Sequence, residues 1–449
     1  MKTSVSALLL ILLMSSCIVT RKPADTFTEP DALSVLLENP ALLSAHVGVS
    51  IYDVERDSLL VNYQGDKYFV PASNTKIVTC YTSMQWLGDS SLTFLVAEND
   101  TAVFVQPAGD PSFLHRDFAR QPVMDWLKAQ TKPVYFSDQN WKSKHWGSGW
   151  AWSDYDEAYM PERSAMPVYG NTIRWEQAWA VNPLDEEMAA VVASDPPTEW
   201  PVNFSIENEN GKFKVNRALS ENLFTIIEGK EDNPKVDVPF VTYGIKSALE
   251  ILSYNLEKPL HYWDDNLPAK LSWKPMYSQP IDSILKPMMN RSDNFFAEQL
   301  LLMVSHKMSG KLNERIAIDS MFKTSLADLQ GTARWADGSG LSRYNLFTPR
   351  DFVTILKKMR NEVGMERIKA VFPAGGRGTL SSYYVADEPY LYAKTGTLAG
   401  VVALSGYLTG DDGKQYIFSV LVNNHRANAV DVRRAVEKYL IRFKEGKRR

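Results

Sequence analysis

Pro71-Ala-Ser73-Asn-Thr-Lys76-Ile-Val-Thr-Cys80-Tyr-Thr-Ser-Met84-Gln-Trp86-Leu-Gly88 reads as a helix that opens on a chemically loaded turn. Its apolar residues recur at helical spacing, a capping-type residue stands at its start, and Gly88 marks its end. One turn of helix brings positions i and i+3 to the same face. The Lys76 amine therefore lies beside the Ser73 hydroxyl, and the helix N-terminus favours developing negative charge. The same Ser-x-x-Lys spelling recurs at Ser283…Lys286 and Ser320…Lys323. Context separates the first copy, which follows Pro71 at a helix start where the hydroxyl is exposed.

Working outward, Ala45 to Val54 is strand-like, the acidic turn Glu55-Arg56-Asp57 follows, and Leu59 to Tyr63 alternates again, which predicts a hairpin ahead of the helix. At the far end, Gly400 to Leu408 and Gln415 to Val422 are apolar strands joined by Thr-Gly-Asp411-Asp-Gly-Lys, a second hairpin. A closing amphipathic helix presents Val432, Ala435, Val436, Tyr439, Leu440 and Phe443 on one face. Hairpin and helix thus open and close the chain. Between about 95 and 280 lies a stretch rich in turn residues and short strand-like runs, with Trp126, Trp141, Trp146, Trp150, Trp152, Trp175, Trp179 and Trp200. It reads as an inserted β-rich region whose tryptophans chiefly fill cores, stacking on sugar rings being the other use of such residues.

Two further strings carry chemistry. Ser292-Asp293-Asn294 offers a hydroxyl to relay a proton and an amide to hold a carbonyl; Ser220-Glu-Asn222 and Ser253-Tyr-Asn255 share its spacing. Lys394-Thr395-Gly396-Thr397 has no second copy and lies in a strand-like run before the last hairpin. On an edge strand it pairs with an extended peptide through backbone hydrogen bonds, Lys394 and Thr395 meet a terminal carboxylate, and Gly396 lets the substrate come close.

Composition narrows the classes. In 449 residues, 45% are hydrophobic and 23% charged, ordinary globular values. With 49 Lys plus Arg against 53 Asp plus Glu the net charge is −4, so nothing draws the chain to nucleic acid. Six histidines show no His-Glu-x-x-His spacing, and Gly338-Ser339-Gly340 has the wrong spacing for a nucleophile elbow, so neither a zinc peptidase nor a Ser-His-Asp hydrolase is indicated and no metal or cofactor is expected. Residues 1–17 combine Lys2, an apolar run Ala7 to Met14, and Ser15-Ser16-Cys17, the pattern of an export signal too short to span a bilayer. The ending resembles a bacterial lipoprotein signal with Cys17 as the lipid-bearing residue, although Met14 stands where that pattern prefers Leu. Cys80 is then left without a disulfide partner.

The order Ser-x-x-Lys, Ser-x-Asn, Lys-Thr-Gly resembles the penicillin-recognising serine enzymes. The long separation of Ser73 from Ser292, together with Gly109-Asp110-Pro111, Gly149-Trp150-Ala-Trp152-Ser-Asp154 and Asp337-Gly-Ser-Gly-Leu-Ser-Arg343, looks like the D-Ala-D-Ala carboxypeptidases of the penicillin-binding protein 4 type, over residues 30 to 440. That resemblance implies an α/β fold of the serine β-lactamase and transpeptidase type, its antiparallel sheet built from both hairpins and the Lys394 strand. The catalytic domain would be discontinuous, 28–95 plus 281–445, with 96–280 inserted as one or two subdomains. It implies acylation of Ser73 by peptidoglycan stem peptides and by β-lactams, with D,D-endopeptidase activity as an extension, in the bacterial periplasm.

Lys76 would be the base, its pKa lowered from about 10.4 to near 7 at a cost of about 4 kcal/mol, with Lys394 supplying part of the repulsion. The family assigns the oxyanion hole to the N–H groups at the positions of Ser73 and Thr397. Asp154 matches a position meeting the ammonium of a diaminopimelate side chain, and Arg343 would meet its carboxylate. Competing readings are a β-lactamase, for which residues 320–345 lack the Glu-x-x-x-Asn segment of the compact class, and a cell-wall binder without catalysis.

Overall fold

The computed structural model describes residues 30–181, 188–205, 211–268, 271–329 and 333–446. The export signal and Cys17 lie outside them. Both predicted hairpins join one five-stranded antiparallel sheet, in the order Leu391–Leu398, Val401–Thr409, Gln415–Asn423, His46–Asp53, Ser58–Tyr63. The first strand pairs with the last along its whole length, from His46 opposite Asn423 to Asp53 opposite Tyr416. Chain ends distant in sequence are thereby joined, and the Lys394 strand takes the sheet edge.

Period-two alternation gives the sheet two buried faces. On one, Val47, Val49, Ile51, Leu404, Val420 and Val422 pack with Leu36 and with the closing helix Ala429–Glu445. That helix buries Val432, Ala435, Val436, Tyr439, Leu440 and Phe443, the face anticipated from spacing, and Asn428 caps it by accepting from the Val430 N–H. On the other face, Tyr52, Ala403, Tyr407, Ile417 and Leu421 pack with Ile77, Val78 and Tyr81 of helix Thr75–Trp86, with helix Asn294–Ser309, and with helix Pro349–Val363. A mixed α/β core of helices on both sides of an antiparallel sheet results.

The chain leaves this core through strand Ser90–Glu98 and returns through Lys274–Pro280, which pair with each other. They belong to a second five-stranded sheet, so the separate sheet starts at Ser90, before the boundary drawn at residue 96. Two three-stranded sheets and the helices Pro122–Ala129 and Lys246–Leu256 complete the region. Its core gathers Phe94, Phe113, Phe136, Trp175, Phe224 and Phe240, with Trp126, Trp141 and Trp200 packed against it. Leu302 and Leu312, from beyond residue 281, belong to the same apolar cluster. Trp152 is instead 73% exposed. Among the described residues no helix is long and apolar enough to cross a membrane.

Candidate active site

Ser73 sits in a tight turn, Ala72–Asn74, that feeds directly into helix Thr75–Trp86. Ala72 has φ +47°, a left-handed conformation unusual for a residue with a Cβ, and its carbonyl accepts from the Thr75 hydroxyl at 2.9 Å. Two glycines clasp this turn. At Gly340, with φ +87°, a Cβ would stand 1.9 Å from the Ala72 carbonyl oxygen. At Gly396 it would stand 2.8 Å from the Pro71 oxygen and 3.1 Å from the Ser73 nitrogen. The turn that carries Ser73 thus packs closely against Gly396. The Asn74 amide fastens the same turn to the sheet, donating to the Lys394 carbonyl at 2.7 Å and accepting from the Ser405 hydroxyl at 2.7 Å.

All three core strings converge here. Fully buried Lys76 directs its Nζ to Ser73 Oγ (3.0 Å), Asn294 Oδ1 (2.6 Å) and the Ser339 carbonyl (2.7 Å), using the three donors of an ammonium. Burial lowers its pKa to about 8, against the charges of Asp337, Glu298 and Asp293, which raise it. Lys394, also fully buried, donates to Ser292 Oγ at 2.9 Å and to the Thr395 carbonyl at 2.8 Å. Its pKa is driven well below the usual lysine range by burial first and the Lys76 charge second. Burial is the first cause of the lowering at both lysines, and the repulsion between the two expected from the sequence is felt at Lys394. Ser292 holds φ +63°, Asp293 caps the following helix by accepting from the Phe296 N–H, and Asn294 Nδ2 donates to the Tyr159 carbonyl of the inserted region at 3.0 Å.

Behind these side chains lies a buried layer in which Asp337 and Trp150 come from strings quoted above, without a role given to them there, and Glu298 and Arg163 from no motif. Asp337 accepts from the Gly340 and Ser342 N–H groups, the Asn345 amide and the Trp150 indole, all within 2.9 Å. It thereby shapes the loop whose Ser339 carbonyl receives Lys76. Glu298 takes the Ser339 N–H at 2.7 Å, and its other oxygen meets Arg163 at 3.2 Å. Burial and nearby Asp337 push the Glu298 carboxyl up, while Arg163 opposes them. Arg163 also donates to the Lys144 and Trp146 carbonyls and pairs with Glu314. The insertion therefore reaches Lys76 through Arg163, Glu298 and Ser339.

The outer edge of the Lys394 strand is covered at Leu391 to Ala393 by the Pro373–Gly375 segment, and from Lys394 to Leu398 it has no strand partner among the described residues. Thr395 Oγ1 bonds Thr379 Oγ1 at 2.9 Å, and Thr397 Oγ1 accepts from Arg433 Nη2 at 2.7 Å. Of the two residues named for the diaminopimelate contact, Asp154 accepts from the Tyr159 hydroxyl (2.6 Å) and Ser153, and Arg343 donates to the Ala399 carbonyl (2.8 Å). Neither is hydrogen-bonded to the Ser73 cluster; Asp154 approaches it through Tyr159, whose carbonyl holds Asn294. The competing Ser283 hydroxyl donates to the Pro280 carbonyl at an exposed helix start, apart from this assembly.

Comparison with known proteins shows the family and the fold. Residues 30–218 and 272–443 match the model of the D-Ala-D-Ala carboxypeptidase 3 (S13) family. The chain is 23% identical to the D-alanyl-D-alanine carboxypeptidase DacB of Haemophilus influenzae over 85% of its length and 86% of that protein. It is 25% identical to the D-alanyl-D-alanine carboxypeptidase of Actinomadura sp. strain R39, over 88% and 81% of the two chains. The crystal structure of penicillin binding protein 4 from Haemophilus influenzae superposes with a TM-score of 0.72 at 20% identity, covering 92% of this chain and 98% of that one, which shows a shared fold.

Proposed function

Because the chain belongs to the S13 family of D-Ala-D-Ala carboxypeptidases, we propose that its reaction runs through an acyl-enzyme on Ser73 with Lys76 as the base. The observation that carries this is the Lys76 amine 3.0 Å from Ser73 Oγ, buried and with its pKa lowered to about 8. A stem peptide adds to the open part of the strand edge, from Lys394 to Leu398, and places the carbonyl of its penultimate D-alanine over Ser73. The neutral Lys76 amine takes the hydroxyl proton as Oγ attacks, and the N–H groups of Ser73 and Thr397 receive the oxyanion. Ser292, hydrogen-bonded to Lys394, relays to the departing D-alanine amine the proton that Lys76 took from Ser73, so that Lys76 is again a free base for the water that follows. Water then cleaves the ester. The same site opens D,D cross-links between stem peptides, since the bond and its flanking D-centres are alike. Asp154 and Arg343 meet the diaminopimelate side chain, a role supported by the match of their strings to the family pattern.

The decisive experiment exposes the protein briefly to benzylpenicillin and maps the adduct by intact mass and peptide mass spectrometry. A lasting adduct on the Ser73 peptide is expected; an adduct on the Ser283 peptide removes the assignment, rapid turnover without adduct points to a β-lactamase, and no reaction points to a binding protein.

The lowered Lys76 pKa also sets a pH dependence. Only the deprotonated amine acts as base, so acylation should rise about tenfold per pH unit below pH 8 and level off above it. Measured acylation rates that stay flat from pH 6 to 9 would rule Lys76 out as base.

Location follows from the N-terminal segment. Lys2, the apolar run and Ser15-Ser16-Cys17 support export to the periplasm with Cys17 as a lipid anchor. The mass of the mature N-terminus checks this: a diacylglyceryl-modified Cys17 is expected, and an unmodified N-terminus beyond Cys17 contradicts the anchor.

A further inference from the structure

We infer that Arg433 binds the C-terminal carboxylate of the substrate, and the equivalent carboxylate of penicillins, at the outer end of the Lys394 strand. This rests on the acyl-enzyme reading of Ser73. Alternation along the strand decides the geometry. Leu391 and Ala393 belong to the apolar cluster shared with helix Ala429–Glu445, so Thr395 and Thr397 continue the face turned to that helix, while Lys394 and Gly396 turn to Ser292 and to the Ser73 turn. Arg433, one residue beyond buried Val432 in the first turns of the helix, is carried up to the strand and donates to Thr397 Oγ1 at 2.7 Å.

The terminal carboxylate of a peptide laid on this edge needs a cation, and the cluster offers two. Lys394 was the expected one. It is 0% exposed, both its hydrogen bonds are to Ser292 and Thr395, and burial beside Lys76 disfavours its charge. Arginine keeps its charge across physiological pH and presents a planar fork that matches a carboxylate. Arg433 is partly exposed, spends one donor on Thr397, and has no carboxylate partner among the described residues. Its remaining donors and the Thr395 and Thr397 hydroxyls make an anion site where the scissile bond's C-terminal side ends.

The test compares acylation of Ser73 by benzylpenicillin and by its methyl ester, in wild type, Arg433→Ala, Arg433→Gln and Arg433→Lys, with thermal melting to confirm folding. Loss of one charge-assisted hydrogen bond predicts that Ala and Gln slow reaction with the free acid by about 10- to 100-fold and leave the ester rate near wild type, with Lys intermediate. A merely structural role would slow both compounds alike. Equal loss on acid and ester, or no loss on either, overturns the assignment of Arg433 while the Ser73 adduct still stands. Absence of any Ser73 adduct in wild type overturns the underlying reading, and this inference with it.

Discussion

Replacing Ser73 with alanine is expected to abolish both D-alanine release from a D-Ala-D-Ala peptide and labelling by penicillin, a loss of about 10⁴-fold or more, because no other group can form the acyl bond. Folding should be nearly untouched. The Ser73 hydroxyl is partly exposed and takes a single hydrogen bond, from Lys76, whose ammonium keeps Asn294 and Ser339 as partners. Removing it should cost about 1 kcal/mol or less, within the range of one neutral hydrogen bond. Ser283→Ala serves as the control, since that hydroxyl only closes a helix start against the Pro280 carbonyl. If Ser283→Ala loses activity at unchanged stability while Ser73→Ala keeps it, the nucleophile has been misassigned.

Gly340→Ala is the second large effect, and it acts on a residue with no functional group. At φ +87° a side chain is already strained, and the new methyl would lie 1.9 Å from the Ala72 carbonyl oxygen, a backbone atom that cannot swing aside. Left-handed strain and overpacking together come to about 2–5 kcal/mol. The relief available is a shift of the turn carrying Ser73, and a displacement near 1 Å costs on the order of 100-fold in rate. Urea unfolding and penicillin acylation should therefore both fall. A variant with normal melting and normal acylation would show that the two glycines do not hold the turn.

How much of this was legible beforehand depends on how local the signal is. The outer hairpins and the closing helix were readable because alternation and helical spacing run through eight or more residues, as in His46–Asp53 and Ala429–Glu445. Ser73, Lys76, Ser292, Asn294 and Lys394 were readable because each string is short and their order is restrictive. The insertion was not: strands such as Val134–Phe136 and Leu260–Tyr262 hold three residues each, too few to display a period, and helices Pro122–Ala129 and Lys246–Leu256 went unnoticed among the turn residues.

The Glu298–Arg163 part of the supporting layer was invisible for another reason. Glu298 on a helix reads as a solvated charge until Arg163, 135 positions earlier, is folded against it. Arg433 is equally silent, since a basic residue beside an apolar helical face is the ordinary look of a surface. Gly396 announces a close approach without saying which backbone approaches, and the turn carrying Ser73 is a neighbour its string does not name.

The Arg163–Glu298 pair bears on how such a chain can change over time. Deleting the insertion would take away Arg163 and strand the Glu298 carboxylate in the interior, while Asp337 would lose the Trp150 indole and keep its other donors; removing one partner of a buried pair typically costs about 3–5 kcal/mol. Glu298 also accepts the Ser339 N–H, so the buried charge is joined directly to the loop that receives Lys76. The insertion is thus wired to the active site by a buried charge as well as by its apolar core, so the two parts of the chain stand or fall together.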